Sequence, residues 1–394
     1  MCGPKWAGCL EMTTALRKTP LNQAHRAMGA KMVEFGGWDM PVEYPRTGGL
    51  IAEHKAVRAT VGMFDVSHMG DVRVSGRSPG AARAAVEHIT MNDVSRLAIG
   101  QAQYSAMLYP EGTFVDDLIV HRLGEDDFFL VINAGTREKD VAWISENTKG
   151  FDCEVADLSD TYTQLAIQGP RAADVLTKLG YADTNSLRSY WFGHGTLCDM
   201  SDVLIARTGY TGEDGFEIYI PADIETSEDV WRRTLESGRE FGILPCGLGA
   251  RNTLRLEARL PLYGHEISQD INVWEAGLDR FCRMEKGEFV GRAALQRQKS
   301  RVTRRLVGLE MTDRGIARDG YLCANEAGDV IGSVTSGSPS PTLGKSIALA
   351  YLPPEFAALG TVVHVEIRGQ RLKARVVPTP FYRRPRREES GDAK

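Results

Sequence analysis

The sequence predicts a large α+β region followed by a small C-terminal domain of β-strands. Its length of 394 residues exceeds a single typical core, since domains average roughly 100–200 residues. Up to residue 298, patterns of helix type and strand type are interspersed. After the basic run 301–305, short strand-type segments follow one another between glycine and proline turns. This change of pattern predicts a second fold unit, a small β-barrel or sandwich.

The composition is that of an ordinary soluble globular protein, with 42% hydrophobic and 25% charged residues. The net charge of −5 gives no global signal for nucleic acid or a membrane surface as partner. No apolar run approaches the roughly 18 residues needed to span a bilayer. The seven cysteines are scattered without a Cys-x-x-Cys motif, which favours free thiols in a reducing compartment and argues against structural zinc. We therefore expect no nucleic-acid partner, no membrane partner and no metal.

Four segments are expected along the chain. Residues 1–18 contain one acid and three basic residues, and their apolar core is too short for a secretory signal. An organellar presequence and a disordered extension are both compatible with that segment. Residues 19–298 are expected to form the α+β region with two interleaved subdomains, residues 304–383 the barrel, and residues 384–394 a tail of basic and acidic residues.

Hydrophobic periodicity and turn residues predict the individual elements. Helices are expected at residues 21–32, 49–60, 79–88, 137–147, 172–178, 228–240 and 250–258, with another beginning at 287. Strands of the α+β region are expected at residues 33–41 (broken by two glycines), 71–75, 104–109, 113–121, 127–133, 164–168, 203–207 and 216–220. In the C-terminal domain, strands are expected at residues 306–311, 330–336, 346–352, 362–367 and 372–377, and the serine- and proline-rich segment 335–344 is expected to be a rigid loop.

The central hairpin carries two adjacent acids, Asp116 and Asp117, just after its turn. Adjacent side chains of a strand point to opposite faces, so the two carboxylates cannot share one environment. Either both acids are solvated beside the turn, or one is directed inward, where an ionised carboxylate needs a partner. Tyr104 and Asn133 are polar residues of the neighbouring strands in equally apolar settings.

Two glycine-containing segments are candidates for ligand contact. Thr208-Gly-Tyr-Thr-Gly-Glu-Asp-Gly215 joins two strands, and it lacks both the spacing and the following helix of a phosphate-binding loop. Glu217 follows it on the face opposite its apolar neighbours, and that face is either solvent exposed or covered. The second segment, Pro245-Cys-Gly-Leu-Gly249, precedes a helix with Arg251 in its first turn, where a cation is unfavourable for the helix dipole. Its position therefore indicates a purpose such as binding an anionic ligand.

A series of motifs along the chain carries a family resemblance. In order they are Thr19-Pro-Leu21, Phe35-Gly-Gly-Trp38, Gly62-Met-Phe-Asp-Val-Ser-His-Met-Gly70, Asp116-Asp-Leu-Ile-Val120, Thr208-Gly-Tyr-Thr-Gly-Glu-Asp-Gly-Phe-Glu217, Gly247-Leu-Gly-Ala-Arg251, Arg255-Leu-Glu-Ala258, Leu262-Tyr-Gly264 and Ser338-Pro-Ser-Pro-Thr-Leu-Gly344. Together they resemble the aminomethyltransferase, or T-protein, family of the glycine cleavage system. The resemblance extends from about Thr19 to Arg387, nearly the whole chain.

The resemblance implies a tetrahydrofolate-dependent enzyme with a folate-binding α+β region and a C-terminal barrel. Such enzymes take an aminomethyl group from the lipoyl group of the H-protein and release ammonia. They form methylenetetrahydrofolate and leave dihydrolipoyl H-protein. The location implied is the mitochondrial matrix for a eukaryotic source and the cytoplasm for a bacterial one.

The resemblance also assigns residues. The family's catalytic aspartate falls on Asp117, which would orient the nucleophile and stabilise a cationic, iminium-like species, whether or not it also moves a proton. Asp116 is left as a solvated or turn-stabilising acid. Folate-contacting positions fall on Tyr104, Asn133, Tyr210, Glu217, Arg251 and, in the tail, Arg387. Glu217 would accept from the pteridine, and the arginines would bind carboxylates.

Three departures from the family pattern stand out. Asn252 replaces a usual aspartate, residues 271–274 replace a threonine- and proline-containing segment, and the tail aligns only with a gap, so Arg386 or Arg384 could serve instead of Arg387. The alternative function is a non-enzymatic folate-binding protein of iron–sulfur assembly or RNA modification. Those relatives share a Lys-Gly-Cys-Tyr-x-Gly-Gln-Glu motif, whereas this chain has Lys286-Gly-Glu-Phe-Val-Gly-Arg292 without cysteine.

Overall fold

A computed structural model describes residues 15–385 of the chain. The expected N-terminal extension therefore lies almost entirely outside the described residues, as does most of the expected tail, including Arg387. Within residues 15–385, no helix is both long enough and apolar enough to cross a bilayer.

The described helices and strands are interspersed along the chain. The helices are α1 (Asn22–Ala27), α2 (Gly49–Ala59), α3 (Ala81–Ile89), α4 (Arg137–Thr148), α5 (Ala172–Lys178), α6 (Ile224–Gly238), α7 (Leu248–Glu257), α8 (Val273–Ala276) and α9 (Arg292–Gln298). Strands before the barrel are β1 (Lys31–Phe35), β2 (Trp38–Glu43), β3 (Val61–Asp65), β4 (Gly70–Gly76), β5 (Ala102–Leu108), β6 (Phe114–Gly124), β7 (Asp127–Ile132), β8 (Cys153–Asp157), β9 (Tyr162–Gln168), β10 (Phe192–Leu197), β11 (Met200–Ala206), β12 (Gly215–Pro221) and β13 (Ile243–Cys246). The barrel strands are β14 (Arg305–Met311), β15 (Leu322–Ala324), β16 (Val330–Ser340), β17 (Lys345–Leu352), β18 (Val362–Ile367) and β19 (Gln370–Val377).

Two large sheets and the two-stranded sheet β1-β2 form the α+β region, and the chain passes from one large sheet to the other and back. The six-stranded sheet has the order β10-β11-β12-β9-β3-β13, and the five-stranded sheet has the order β5-β6-β7-β4-β8. Only the pair β3 and β13 is parallel within these described sheets. A core formed with α5 and α6 covers the first sheet, and a second core with α3 and α4 covers the other. A third core, which contains Phe129, Ala206 and Tyr219, lies between the two sheets, so both faces of the central strands are removed from water.

The C-terminal strands close into a six-stranded barrel of order β14-β17-β16-β15-β18-β19, which confirms the predicted barrel. Its interior is filled by small and branched apolar side chains, among them Val307, Ala348 and Val365. The prediction of a rigid loop at residues 335–344 was wrong, because residues 335–340 continue β16 and pair with β17. A register shift between Val334 and Ser336 accommodates this polar stretch, since a bulge bends one strand without ending the ladder.

Two helix predictions placed a boundary wrongly. The first helix ends at Ala27 rather than continuing to residue 32, and Gly29 follows with a φ of 76°. That left-handed conformation stops a helix and turns the chain directly into β1. The helix expected from residue 287 begins at Arg292, after Gly291 with a φ of 86°.

A buried carboxylate, Glu257 at the end of α7, joins the barrel to the α+β region. Its side chain is fully buried and accepts from Arg58 at 2.9 Å, from Thr342 at 2.8 Å and from Ser340. The His54 ring nitrogen lies 3.3 Å from the second carboxylate oxygen. Burial alone would raise the pKa of Glu257, but the bonds from His54 and Ser340 and the charge of Arg58 bring it to about 2.

The Arg58 guanidinium extends this connection beyond Glu257. It donates to the Thr211 carbonyl at 2.8 Å and pairs with Glu213 at 3.0 Å, so it also fixes the glycine loop before β12. The ring of Tyr382 lies 4.0 Å from the guanidinium carbon. One arginine of α2 therefore connects the barrel, the glycine loop and the described end of the chain.

We expect Glu257→Gln to lower the free energy of unfolding by about 2–3 kcal/mol at pH 7, because the folded-state pKa lies well below that of an unfolded glutamate. A lowered pKa contributes stability above the unfolded value of roughly 4.3, and that contribution is lost as the pH falls toward about 2. The difference between the two proteins should therefore shrink in urea titrations between pH 5 and pH 3. Glu240→Gln, at an exposed pair with Lys178, is the matched control and should change stability by less than about 0.5 kcal/mol. An equal loss at pH 7 and pH 3 would contradict this account.

Candidate active-site pocket

A cavity of about 310 Å³ lies between the two sheets, and elements from both contribute to its wall. Strands β5 and β6 contribute Tyr104 and Asp117, and Asn133 follows directly after β7. From the other sheet, β9 contributes Gln164 and β12 contributes Glu217. The remaining lining residues include Phe35, His68, Tyr190, Tyr210, Arg251, Pro261, Tyr263 and His265. The predicted residues Tyr104, Asp117, Asn133, Tyr210, Glu217 and Arg251 all lie at this one pocket, although their positions span more than a third of the chain.

Asp117 points into the pocket from β6 and is partly buried. The Tyr104 hydroxyl on β5 donates to its Oδ2 at 2.9 Å, and the Asn133 amide donates to its Oδ1 at 2.8 Å. Tyr104 belongs to β5 and Asn133 follows directly after β7, so the two strands that flank β6 bring both donors to the carboxylate. Asp117 therefore does not have the solvated position beside the turn, which was one of the two alternatives for these acids.

Asp116 lies on the opposite face of β6 and is fully buried. It accepts from the Asn133 amide at 2.7 Å, from the Thr136 hydroxyl, and from the backbone N–H of Asp117 at 2.8 Å. The prediction of a solvated or turn-stabilising acid was therefore wrong. Strand alternation was correct, but α4 covers the second face, and nothing in the local pattern of β6 indicates that cover.

The electrostatic environment keeps Asp117 from being an ordinary ionised surface acid. Burial raises the pKa of Asp117, and the neighbouring Asp116 carboxyl raises it further. The hydrogen bonds from Tyr104 and Asn133 act in the opposite direction, because they stabilise the ionised form. A carboxyl group balanced between such influences can change its protonation during a reaction near neutral pH.

Glu217 and Arg251 form the opposite wall together with Tyr210. The Thr208 hydroxyl donates to Glu217, whose pKa burial raises while that bond and Arg251 lower it. The Arg251 guanidinium carbon lies 4.5 Å from the centre of the Tyr210 ring, within the range of a cation–π contact. The Tyr210 hydroxyl donates to the Pro261 carbonyl, which fixes the ring against the wall. This side therefore offers an acid, a cation and an aromatic face to one ligand.

Three further lining residues were not predicted as site residues. His68 is 1% exposed, its Nδ1 has no hydrogen-bond partner among the described residues, and burial lowers its pKa to about 4. Gln164 is also buried, and its Oε1 likewise has no donor among residues 15–385. Tyr190 adopts a φ of 60°, unusual for a non-glycine residue, and borders the pocket. Only His68 had a sequence signal, since it lies in the quoted motif of residues 62–70.

The tail arginines are outside this description apart from the first two. Arg387 and Arg386 lie outside the described residues, so the assignment of Arg387 stays a prediction. Arg384 lies within them and is 3.6 Å from Asp214, at the glycine loop. Among the residues described as lining the pocket, none comes from the tail.

The fold and the pocket define a class of protein: an enzyme whose active site is formed between two sheets, with a C-terminal barrel attached. An apolar cavity with a few convergent polar groups and an acid of raised pKa is typical of catalytic sites. Among residues 15–385, no group of three or more His, Cys, Asp and Glu side chains is arranged to hold a metal ion.

Comparison with known proteins then identifies the family. The family described as the GCVT N-terminal domain matches residues 21–286, and the glycine cleavage T-protein C-terminal barrel domain matches residues 304–383. A protein of Acidobacterium capsulatum named aminomethyltransferase is 63% identical over 376 residues, which are 95% of this chain and 98% of its own. A protein of the same name from Koribacter versatilis is 61% identical over 373 residues, 94% of this chain and 97% of its own.

A solved structure gives the same result for the fold. The crystal structure of glycine cleavage system aminomethyltransferase T from Bartonella henselae has a TM-score of 0.86 and 35% identity, and it covers 94% of this chain and 99% of its own. The chain belongs to the glycine cleavage T-protein family.

We expect Asn133→Leu to lower the free energy of unfolding by about 2–4 kcal/mol, because it removes the amide that donates to both Asp116 and Asp117. Without that donor the pKa of Asp117 should rise further. A raised acid pKa leaves the low-pH stability intact and removes stability as the pH rises, so the loss should be larger at pH 8.5 than at pH 5.5. Urea titrations at the two pH values measure this difference.

Asn147→Leu is the matched control for that substitution. The Asn147 amide donates only to the Trp143 carbonyl of the same helix among its described contacts. Its loss should be below about 1.5 kcal/mol and equal at both pH values, since no carboxylate is left unpaired. A pH-independent loss in Asn133→Leu would show that the amide does not mediate between the two acids.

Proposed function

We propose that this protein is the aminomethyltransferase of the glycine cleavage system. In this proposal it transfers the one-carbon unit of an aminomethyl group to tetrahydrofolate, producing methylenetetrahydrofolate and ammonia. The group arrives on the lipoyl group of the H-protein, which leaves in the dihydrolipoyl form. The relatives reported above at 61–63% identity over nearly their whole length support the activity. Because those relatives are bacterial, we propose the bacterial cytoplasm as the location and do not retain the mitochondrial alternative.

The pocket suits a tetrahydrofolate in its chemistry. A pteridine is a flat ring with N–H and carbonyl groups at its edge, so it needs aromatic faces and buried hydrogen-bond partners. Glu217 and the unpaired Gln164 Oε1 are acceptors at the wall, and the Tyr104 and Tyr210 rings border the same space. Buried polar atoms without partners are rare in folded proteins, which favours a ligand that supplies the missing bonds.

Asp117 is the residue to which we assign the chemistry. It is the acid that faces the pocket, and its carboxylate is fixed by donors from β5 and from the residue that follows β7. From that position it would orient the attacking nitrogen and stabilise the positive charge that develops on the transferred carbon unit. Holding both reactants in one small cavity would contribute much of the remaining acceleration.

The observation that carries this assignment is the convergence of Asp117, Tyr104, Asn133, Tyr210, Glu217 and Arg251 on one cavity. Five separate segments of the chain contribute them, so their meeting is a property of the fold and not of local sequence. The binding-protein alternative would need the same folate contacts but no reaction at Asp117. The two functions therefore separate in an assay that measures binding and turnover independently.

We expect Asp117→Asn to lower kcat by at least about 100-fold, because the amide cannot carry the negative charge that stabilises the developing cation. Ammonia and methylenetetrahydrofolate should be measured from aminomethyl-loaded H-protein, and tetrahydrofolate binding by calorimetry. Binding should change by less than about tenfold, or 1.4 kcal/mol. Glu111→Gln, at the exposed turn of the same hairpin, is the control and should match the unmodified protein. Folate binding without ammonia release by the unmodified protein would favour the binding-protein alternative.

We expect Glu217→Gln to weaken tetrahydrofolate binding by about 10- to 100-fold, since a charge-assisted bond to a buried ligand is worth roughly 1.5–3 kcal/mol. Calorimetric titration measures the dissociation constant directly. Glu225→Gln on the exposed first turn of α6 is the control for a lost carboxylate elsewhere. Unchanged affinity in Glu217→Gln would exclude this acid as a folate contact.

A further inference from the structure

Behind Asp117 lies a row of three carboxyl groups that the proposed function does not yet use. Asp117 and Asp116 share one donor, the Asn133 amide, at 2.8 and 2.7 Å. On the far side of Asp116 lies the carboxyl of Asp140 on α4, close enough for the charge of Asp116 to raise its pKa. The carboxylate row, as we call Asp117, Asp116 and Asp140, thus extends from the pocket to the interior face of α4.

One cation accompanies these three acids. The Lys139 ammonium lies 2.9 Å from Asp140, donates to the Val115 carbonyl and lies 4.4 Å from the centre of the Tyr263 ring. Its side chain is 34% exposed, whereas Asp116 and Asp140 are fully buried. Three ionised carboxyls against one ammonium would leave the row with excess negative charge in a buried setting, which is strongly unfavourable.

The hydrogen bonding of Asp140 indicates where a proton must be. Asp140 is 0% exposed, and no amide or hydroxyl of the described residues donates to either of its carboxyl oxygens. Two neighbouring carboxyls in such a buried place repel each other when both are ionised, which favours a proton shared by the pair. Burial and the Asp116 charge accordingly raise the pKa of Asp140, as burial and the same charge raise that of Asp117.

We propose that Asp116 and Asp140 are positioning residues that make Asp117 a proton carrier in the transfer reaction. The row retains a proton at neutral pH, and the negative charge of Asp116 keeps Asp117 ready to accept another. Asp117 takes the proton that a folate nitrogen loses as its bond to the transferred carbon forms. It then gives that proton to the amine nitrogen as the carbon–nitrogen bond to the amine breaks. The second folate nitrogen bonds the same carbon as the carbon–sulfur bond breaks, and its proton goes to the lipoyl sulfur. Two carbon–nitrogen bonds form while one carbon–nitrogen and one carbon–sulfur bond break, and Asp117 ends as it began.

This inference rests on the proposed function, and it extends it by assigning positioning roles to Asp116 and Asp140 behind Asp117. Several charged or titratable groups face the row and contribute to its titration. From the strands and loops around Asp117 they are Tyr104, Tyr210, Tyr263, His68, Glu217 and Arg251, and around Asp140 they are Lys139 and Asp116. Because the acids interact, their titration midpoints belong to the row as a whole.

The test is a carboxyl titration of the full-length protein labelled with carbon-13 at the aspartate side chains. Each resonance of the row is assigned by its loss in the corresponding Asp→Asn variant, and Asp117 is followed from pH 4.5 to pH 9.5. We expect its midpoint to fall by at least about one unit in Asp116→Asn, because a like charge is removed. In Lys139→Met the midpoints of the row should rise by about half a unit or more, because a cation is removed.

Matched controls exist on the same helix. Glu138→Gln removes an exposed acid next to Lys139, and Lys149→Met removes an exposed cation at the end of α4. Neither should move the Asp117 midpoint by more than about 0.3 units, since exposed charges are well screened. Lys139→Met also protects the test against misfolding, because its partly exposed side chain can be replaced with less disturbance than buried Asp116.

The acid limb of the kcat profile should follow the titration, downward in Asp116→Asn and upward in Lys139→Met. Shifts in opposite directions distinguish charge setting from a merely structural role, which would lower kcat at every pH. Titration of all three acids below about pH 5, or an Asp117 midpoint unmoved in Asp116→Asn, would overturn the proposal. If the titrations move as expected but the unmodified protein lacks transferase activity, the proposed function fails and the proton-sharing row stands. If the unmodified protein has transferase activity but the titration midpoints do not move, the proposed function stands and the proton-sharing row fails.

Discussion

The site depends on one constraint: β6 carries two adjacent carboxyl groups, and both faces of its sheet are covered. Alternation directs Asp117 to the pocket and Asp116 to the interior, so neither can rely on water alone. The surrounding donors follow from that need. The Tyr104 hydroxyl, the Asn133 amide and the Thr136 hydroxyl all point at these two groups. Since an uncompensated buried charge is costly, the same donors that stabilise the fold also set the reactivity of the pocket acid.

The fold explains why no local motif contains the site. The chain forms one strand of the six-stranded sheet, completes the five-stranded sheet, and then returns to finish the first. A cavity between the sheets therefore collects residues from β5, β6, β9, β12 and α7. The two packed sheets hold most of the polar groups in place, and the glycine loop and segment 260–265 complete the wall.

Sequence reasoning predicted most elements, and its errors have physical causes. Strand alternation separated Asp116 from Asp117, yet it could not show that α4 covers the Asp116 side, because long-range packing leaves no trace in a period of two. Whether the Glu217 side chain is solvent exposed or covered was left open for the same reason. Segment 335–340 contains the loop-type residues serine and proline, but pairing with β17 outweighs their local preference. The family resemblance selected Asp117, but it assigned no role to Asp140.

The barrel contributes none of the described lining residues, but it holds one wall of the pocket. The buried Glu266 carboxylate pairs with Arg255 at 2.6 Å and accepts from Thr335 of β16 at 2.7 Å, and the Tyr351 hydroxyl donates to its carbonyl at 2.6 Å. The wall segment 260–265 immediately precedes this clamp. Occupancy of the pocket and integrity of the barrel are therefore thermodynamically linked. A ligand bound in the pocket would protect the barrel from proteolysis. A destabilising substitution in the barrel would lower the ligand affinity of a cavity to which the barrel contributes no described lining residue.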